Sequence, residues 1–338
     1  MKTAIAALIA ATGLATSACV SASTAATPDG AAESGYPVTI TNCGKQYTFT
    51  KAPSRVVVMN GGSVAEVSSL LALGLEDRIV ANAQSYGASE VDGRAAEIAK
   101  LPTGDIELND MMDIPREAMV GLRPDFVIST YDGGFRADAG FATREDLLAI
   151  GAGSYAPETS CGDVGTVSGT PSIEDSYTLL RDLGTIFGVK DRSEKLITES
   201  KRRIAAVGAK VKGQDSQQVM LVIPGMSMGG DVGSVGGNGI WNDIFAKAGA
   251  ENAFGDAKDM FANLSREQVA AADVDALVVV NYMSEDPDAD ARKLLEQFPQ
   301  WDAARNDRYV VLSDSVYLGP SNDLAVEKIA ATVHPEAD

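Results

Sequence analysis

The sequence predicts an α/β protein of two lobes, each a parallel, Rossmann-like sheet covered by helices, joined by one long helix. Three observations carry this. Short apolar runs alternate with helical patterns along most of the 338 residues. Near the middle, residues 191–212 form one uninterrupted helical pattern. After it the strand–helix alternation starts again. Such alternation places crossover helices on both faces of parallel sheets.

The central stretch, DRSEKLITESKRRIAAVGAKVK, has apolar residues at Leu196, Ile197, Ile204, Val207 and Val211, one stripe at helical spacing. Asp191 with Glu194 three places on reads as an N-terminal capping box, and Gly213 as the stop. An ordinary surface helix would fit this pattern. Its central position and the lack of another linker favour a rigid strut between the lobes.

The domain reading is therefore a signal peptide over 1–18, a flexible tether over 19–35, an N-terminal lobe over 36–190, the helix over 191–212 and a C-terminal lobe over 213–338. Lys2, the apolar run from Ala4 to Leu14 and the small residues Thr16-Ser17-Ala18 make an export signal. Cleavage there leaves Cys19 first, as in a lipoprotein, although Thr16 stands where Leu is usual. The alternative is plain secretion. Residues 20–35 are small and polar and cannot bury a core. Cys43 and Cys161 remain. In an oxidising compartment they most simply pair, although two separate buried thiols are the other option.

Within the first lobe, residues 37–41 and 46–50 read as a hairpin, and Arg55 to Met59 as a strand opening into Asn60-Gly61-Gly62. A helix follows, capped by Ser63 with Glu66 and ending at Gly74. Arg78 to Ala83 is the next strand. Asp113 to Leu122 is a helix with Pro115 in its first turn. Asp125 to Thr130 is a buried strand, Thr143 caps a short helix, Ser154-Tyr155 belong to a strand, and 173–188 are helical. In the second lobe, strands are expected over 218–223, 275–281 and 308–312, and helices over 242–248, 266–272, 289–298 and 321–333.

The formal net charge of −19 argues against nucleic acid or an anionic membrane surface as the main partner. One histidine and three cysteines give little for a side-chain metal site, and no calcium-loop spacing occurs. The methionines at 59, 111, 112, 226, 228, 260 and 283 read better as core and cleft lining than as soft ligands. Gly225-Met226-Ser227-Met228-Gly229 matches the nucleophile pattern of serine hydrolases, with His334 downstream. However, a nucleophile elbow runs straight into a helix, and the glycine-rich stretch that follows cannot form one. A secreted serine hydrolase using Ser227 is thus the weaker alternative. The stronger signal is the set of residues at strand exits, where open α/β sheets bind ligands: Tyr86, Tyr131, Arg136, Tyr155, Met226, Phe261, Tyr282 and Tyr317.

The stretches YPVTITNCG (36–44), KAPSRVVVMN (51–60), LLALGLEDRIV (70–80), LRPDFVI (122–128), RDLGTIFGV (181–189), AGAENAF (248–254), LSREQV (264–269) and VEKIAATVHPE (326–336) resemble one family. It is the substrate-binding lipoproteins of ABC importers for ferric siderophores, haem and cobalamin, class III periplasmic-binding proteins. The resemblance implies a non-catalytic receptor, without a cofactor of its own, that hands an iron chelate to an ABC permease and its ATPase. It also implies a monomer at the outer face of the cytoplasmic membrane, touching the membrane only through a lipid on Cys19. Glu117 and Glu267 match the family glutamates that dock on permease arginines. Where siderophore binders often carry an Arg before the last helix, this chain has Gly319-Pro320-Ser321-Asn322. That leaves Arg136 as the cationic candidate and favours a weakly charged chelate such as a ferric hydroxamate over a catecholate. Haem or a corrinoid stays open, since tyrosine can ligate haem iron.

Overall fold

The computed structural model describes residues 35–337 except 62, 85–88, 163–168, 225–231, 259, 283 and 314–318. The chain opens with an antiparallel hairpin, β1 (Val38–Asn42) and β2 (Lys45–Phe49). The first sheet follows: β3 (Val56–Val58), β4 (Ile79–Asn82), β5 (Phe126–Ile128) and β6 (Gly153–Tyr155), in the order β4-β3-β5-β6 and parallel throughout. Its helices are α1 (Ala65–Ala72), α2 (Arg94–Ile98), α3 (Arg116–Gly121), α4 (Arg144–Ala149) and α5 (Ile173–Ile186).

Helix α6 (Lys190–Lys210) crosses to the second half. Its 21 residues span ~31 Å at about 1.5 Å each. The second sheet contains β7 (Gln217–Val222), β8 (Val232–Val235), β9 (Ala250–Asn252), β10 (Phe261–Leu264), β11 (Ala276–Asn281) and β12 (Tyr309–Ser313). Its order is β10-β8-β7-β11-β12, with β9 beside β7. The helices here are α7 (Ile240–Lys247), α8 (Arg266–Ala271), α9 (Pro287–Gln297), α10 (Asp302–Arg305) and α11 (Asn322–Val333).

The helix expected from Asp113 starts only at Arg116, with Pro115 as its N-cap rather than in its first turn. The other expected strands and helices lie where the apolar patterns put them, with four differences. The second sheet is mixed, because β8 runs antiparallel to both β7 and β10. Ser63 and Glu66 do not form a capping box. Ser63 Oγ accepts from the Ala65 N–H, and Glu66 is completely buried. Asp191 does not cap α6, whose N-cap is Val189. The turn out of α5 passes through Gly188 at φ +68°, a left-handed conformation that glycine adopts freely, and α6 starts at once. Finally, β6 ends at Tyr155 inside the lobe rather than at a cleft surface.

Each sheet has apolar packing on both faces. One face of each half has its own cluster, around Met59, Phe135 and Phe141 in the first and Leu277, Phe298 and Trp301 in the second. The opposite faces merge into one continuous core. It runs from Phe126 and Ile128 through Leu183 of α5 and Ile197 and Val207 of α6 to Val219, Val278 and Ile329. All five apolar residues predicted for the α6 stripe belong to this layer or pack against it. Along this stripe the helix packs against α5, α7 and α11, while most of its other residues are exposed.

Cys43 and Cys161 form a disulfide, with their Cα atoms 5.2 Å apart. It ties the hairpin turn to the segment after β6. No helix among the described residues is long and apolar enough to cross a membrane.

Candidate functional site

The segment that follows the carboxyl end of β4 meets the carboxyl end of β12. Glu90, which follows β4 in the first half, accepts the backbone N–H of Ser313 at the end of β12, at 2.6 Å. Its other oxygen pairs with Lys328 on α11. One strand exit of each half is thereby brought together, and strand exits are where open α/β sheets bind ligands.

On the first lobe the β3–α1 loop is held by the buried acid Asp113, and a second buried acid, Glu66, lies in α1 just after it. Asp113 Oδ1 accepts from the backbone N–H of Asn60 at 2.9 Å and of Ile114 at 2.8 Å. Asn60 Nδ2 donates to the Met112 carbonyl at 2.6 Å. Glu66 Oε2 accepts from Gln84 Nε2 and from Thr130 Oγ1, both at 2.8 Å. Gly61 sits at φ +60°, and a Cβ there would lie 2.3 Å from Thr130 Oγ1, so only glycine lets the loop close down. The remaining oxygens, Glu66 Oε1 and Asp113 Oδ2, have no partner among the described residues. Burial raises both carboxyl pKa values, against the hydrogen bonds that lower them. Met111 and Met112 stand exposed beside this loop.

Tyr131 leaves β5 half-buried, at the middle of the first sheet. Its hydroxyl pKa is raised by burial and by Asp113, with Arg136 opposing, which keeps the phenol protonated at neutral pH. Arg136 is exposed, and its guanidinium forks onto Asp138, with Nε to Oδ1 at 2.9 Å. That hydrogen bond holds the Asp138 carboxyl below its ordinary range. The cationic candidate is thus already paired with an acid.

Tyr282 follows β11, again at an exit in the interior of its sheet, and packs half-buried on the shared core. Phe261 lies on β10, the edge strand, and is 46% exposed. Tyr155 does not line the cleft. It is fully buried, and its hydroxyl donates to Asp182 Oδ2 on α5 at 2.7 Å. Tyr86, Met226, Tyr317, Ser227 and Cys19 lie outside the described residues. His334 is inside: its ring is buried, with Nε2 3.0 Å from the Gly249 carbonyl. Among the described residues no group of three or more His, Cys, Asp or Glu could hold a metal ion.

Glu117 and Glu267 occupy matched places. Each is the second residue of a short helix, α3 or α8, each follows an arginine, and each is exposed. The segments around them align at one constant offset. Met119 and Val269 fill the same buried position. Asp125 and Asp275 then precede β5 and β11 and do the same work. Asp125 accepts the N–H groups of Ser54 and Arg55 before β3, and Asp275 accepts that of Gln218 in β7. Both helices begin level with strand exits. Asp113, just before α3, is bonded to Asn60 beyond β3, and Leu264, just before α8, pairs with Val232, beside Ile223 beyond β7. The neighbouring arginines are engaged elsewhere, Arg116 with Asp146 and Arg266 with Gln297 and the ring of Phe298. Neither glutamate has an ion pair among the described residues.

Sequence reasoning missed Glu66, Asp113 and Glu90. For Glu66 the signal was present, as a single acid inside the apolar run Val64-Ala65-Glu66-Val67.

A family profile described as periplasmic binding protein matches residues 57–316. No curated protein matches the chain. Among solved structures, an ABC-type Fe3+-hydroxamate transport system protein from Saccharomonospora viridis is similar at 26% identity and TM-score 0.69. The match covers 88% of this chain and 99% of that one. A periplasmic binding protein from Veillonella parvula is similar at 20% identity and TM-score 0.69, over 88% and 97% of the two chains. A periplasmic heme binding protein from Pseudomonas aeruginosa is similar at 23% identity and TM-score 0.61, over 85% and 94%.

Proposed function

The chain belongs to the periplasmic binding protein family, and from that premise we propose that it is a non-catalytic receptor for an iron chelate, which it delivers to an ABC permease. The observation that supports the reading is the meeting of strand exits from the two halves at Glu90 and Ser313, with Tyr131 and Tyr282 each just beyond an interior strand of its sheet. The export signal and Cys19 fit a lipid-anchored protein outside the cytoplasmic membrane. Glu117 and Glu267 supply one exposed acid per lobe for permease arginines.

Charge supports one ligand class over the others. A ferric tris-catecholate is a trianion and needs cations. Arg136, the candidate from sequence, already carries Asp138. Tyrosinate ligation of haem iron requires loss of the phenol proton, and Tyr131 is shifted to hold it. A ferric trihydroxamate is neutral and needs neither cations nor tyrosinate. The similarity to a protein of an Fe3+-hydroxamate system supports the same class.

The test is isothermal titration of the purified protein with a ferric trihydroxamate and with a ferric tris-catecholate. The expected result is saturable one-to-one binding of the first, weakened at least tenfold by Tyr131→Ala and by Tyr282→Ala. Tight catecholate binding with no hydroxamate binding would overturn the ligand class.

A further inference from the structure

Glu90 belongs to the first lobe, between β4 and α2, yet both of its polar partners belong to the second. Its side chain is only 3% exposed, although Lys328 remains 49% exposed. A carboxylate loses several kcal/mol of hydration on burial unless its oxygens are satisfied. Here one oxygen takes the Ser313 N–H and the other the Lys328 ammonium. Both bonds are charge-assisted, and neither survives if the lobes part by more than about 1 Å, because hydrogen bonds fail beyond ~3.5 Å.

The location matters as much as the energy. Other polar ties between the halves lie in the helical layer: Asp243 of α7 accepts the Ile173 N–H of α5, and Arg203 of α6 pairs with Asp323 and Glu327 of α11. Glu90 instead joins the exits of β4 and β12, which are the edge strands of their sheets. In sequence, Tyr86 precedes Glu90, and Tyr317 follows Ser313 by the same short interval.

We infer that Glu90 is a positioning residue, a clasp that fixes the span of the cleft along its β4–β12 flank. Helix α6 and its layer hold the lobes at the back, and the Glu90 clasp holds them at the strand exits. With two separate attachments the lobes cannot rotate freely, so the strand exits keep one separation. Lys328 reaches the clasp from the surface of α11 and can be changed without opening the core.

The experiment measures lobe separation directly and needs no ligand, so its outcome is independent of the iron-chelate reading. Nitroxide labels are placed through Leu148→Cys on α4 and Glu296→Cys on α9, both exposed positions. Distances are then read by double electron–electron resonance. The parent protein should give one narrow distribution. Glu90→Gln and Lys328→Met should each broaden or lengthen it by several ångströms, and the double variant should match either single one. Lys328→Arg should restore the narrow distribution. A residue that merely stabilised its own lobe would lower the melting temperature and leave the distances alone. Parent-like distributions in both single variants would overturn the proposal. Because Lys328 is half exposed, its variant remains informative even if Glu90→Gln folds poorly.

Discussion

Replacing Arg144 by alanine should destabilise the first lobe by about 3–4 kcal/mol. Arg144 opens α4 and is 5% exposed. Its Nε donates to Asp132 Oδ1 at 2.7 Å. Its Nη1 reaches Asn42 Oδ1, the Tyr47 hydroxyl, and Ser154 Oγ and carbonyl oxygen, at 3.1–3.3 Å. The guanidinium also stands 4.4 Å from the centre of the Phe135 ring. Breaking a buried ion pair typically costs about 3–5 kcal/mol, chiefly because the abandoned partner stays buried and charged. Asp132 is 30% exposed and can return to water, which moves the loss towards the lower end. Tyr47 and Ser154 still bond each other at 2.8 Å, and Asn42 Oδ1 keeps the Ala156 N–H at 3.0 Å. The lost contact with Phe135 adds up to about 1 kcal/mol, which brings the total to about 3–4 kcal/mol. For a protein of this size, about 2 °C per kcal/mol gives a drop of roughly 6–8 °C in Tm. Calorimetry of the oxidised protein beside urea denaturation followed by circular dichroism measures both quantities. Ligand affinity should fall too, because Asp132 and Phe135 frame the Tyr131–Arg136 segment. A loss below about 1 kcal/mol would refute the reasoning, since it would mean that the buried pair and its network contribute no more than a surface contact.

Three further outcomes follow. Reducing the Cys43–Cys161 bond, which closes a separation of 118 residues, should cost up to about 5 kcal/mol in the chain-entropy model. Urea midpoints with and without reductant measure it, and equal midpoints would contradict that contribution. Glu66 has a pKa raised by burial, so the folded state keeps a proton that the unfolded chain releases. Its contribution to stability is full below the ordinary glutamate value of 4.5 and is lost as pH rises through the folded value. Glu66→Gln should flatten that fall in a stability-against-pH series, and an unchanged slope would count against a protonated Glu66. Reversing both Glu117 and Glu267 to Lys should abolish uptake while leaving ligand affinity unchanged and stability within roughly 0.5 kcal/mol for each. Wild-type transport by the double variant, or transport lost through lost ligand binding, would defeat the docking assignment.

The fold was readable because burial leaves a period in the sequence. The runs at Val56–Val58 and Ala276–Val280 are apolar on both faces, as strands covered on both sides must be. The α6 stripe fixed which face of that helix meets the core. Strands β8 and β10 were not readable. Their sequences, VGSV and FANL, are short and contain small or polar residues, and their pairing is long-range. Cap signals misled twice. A Ser or Asp followed by Glu three places later describes a possible hydrogen bond, but the direction in which the acid turns is decided by its neighbours. Gln84 and Thr130 draw Glu66 inward, and the tight turn at Gly188 starts α6 before Asp191.

The candidate site was legible only in outline. Tyr131 and Tyr282 stand at strand exits as the pattern alone placed them, whereas Tyr155, taken by the same rule, is the last residue of its strand and bonds inward to Asp182. The pairing of Glu117 with Glu267 has a second signal in the sequence, the matched Arg-Glu and Asp positions ahead of β5 and β11. Glu90 left none, because its partners lie more than two hundred residues away on the other lobe.

The most direct test of the central claim is native mass spectrometry of the mature protein offered, together, a ferric trihydroxamate, a ferric catecholate, haem and cobalamin. The account predicts one dominant complex, carrying a single ferric hydroxamate and persisting through washing. Selective retention of haem or cobalamin would contradict the ligand class. Retention of none of the four, by protein whose Cys43–Cys161 bond is intact, would contradict the receptor reading itself.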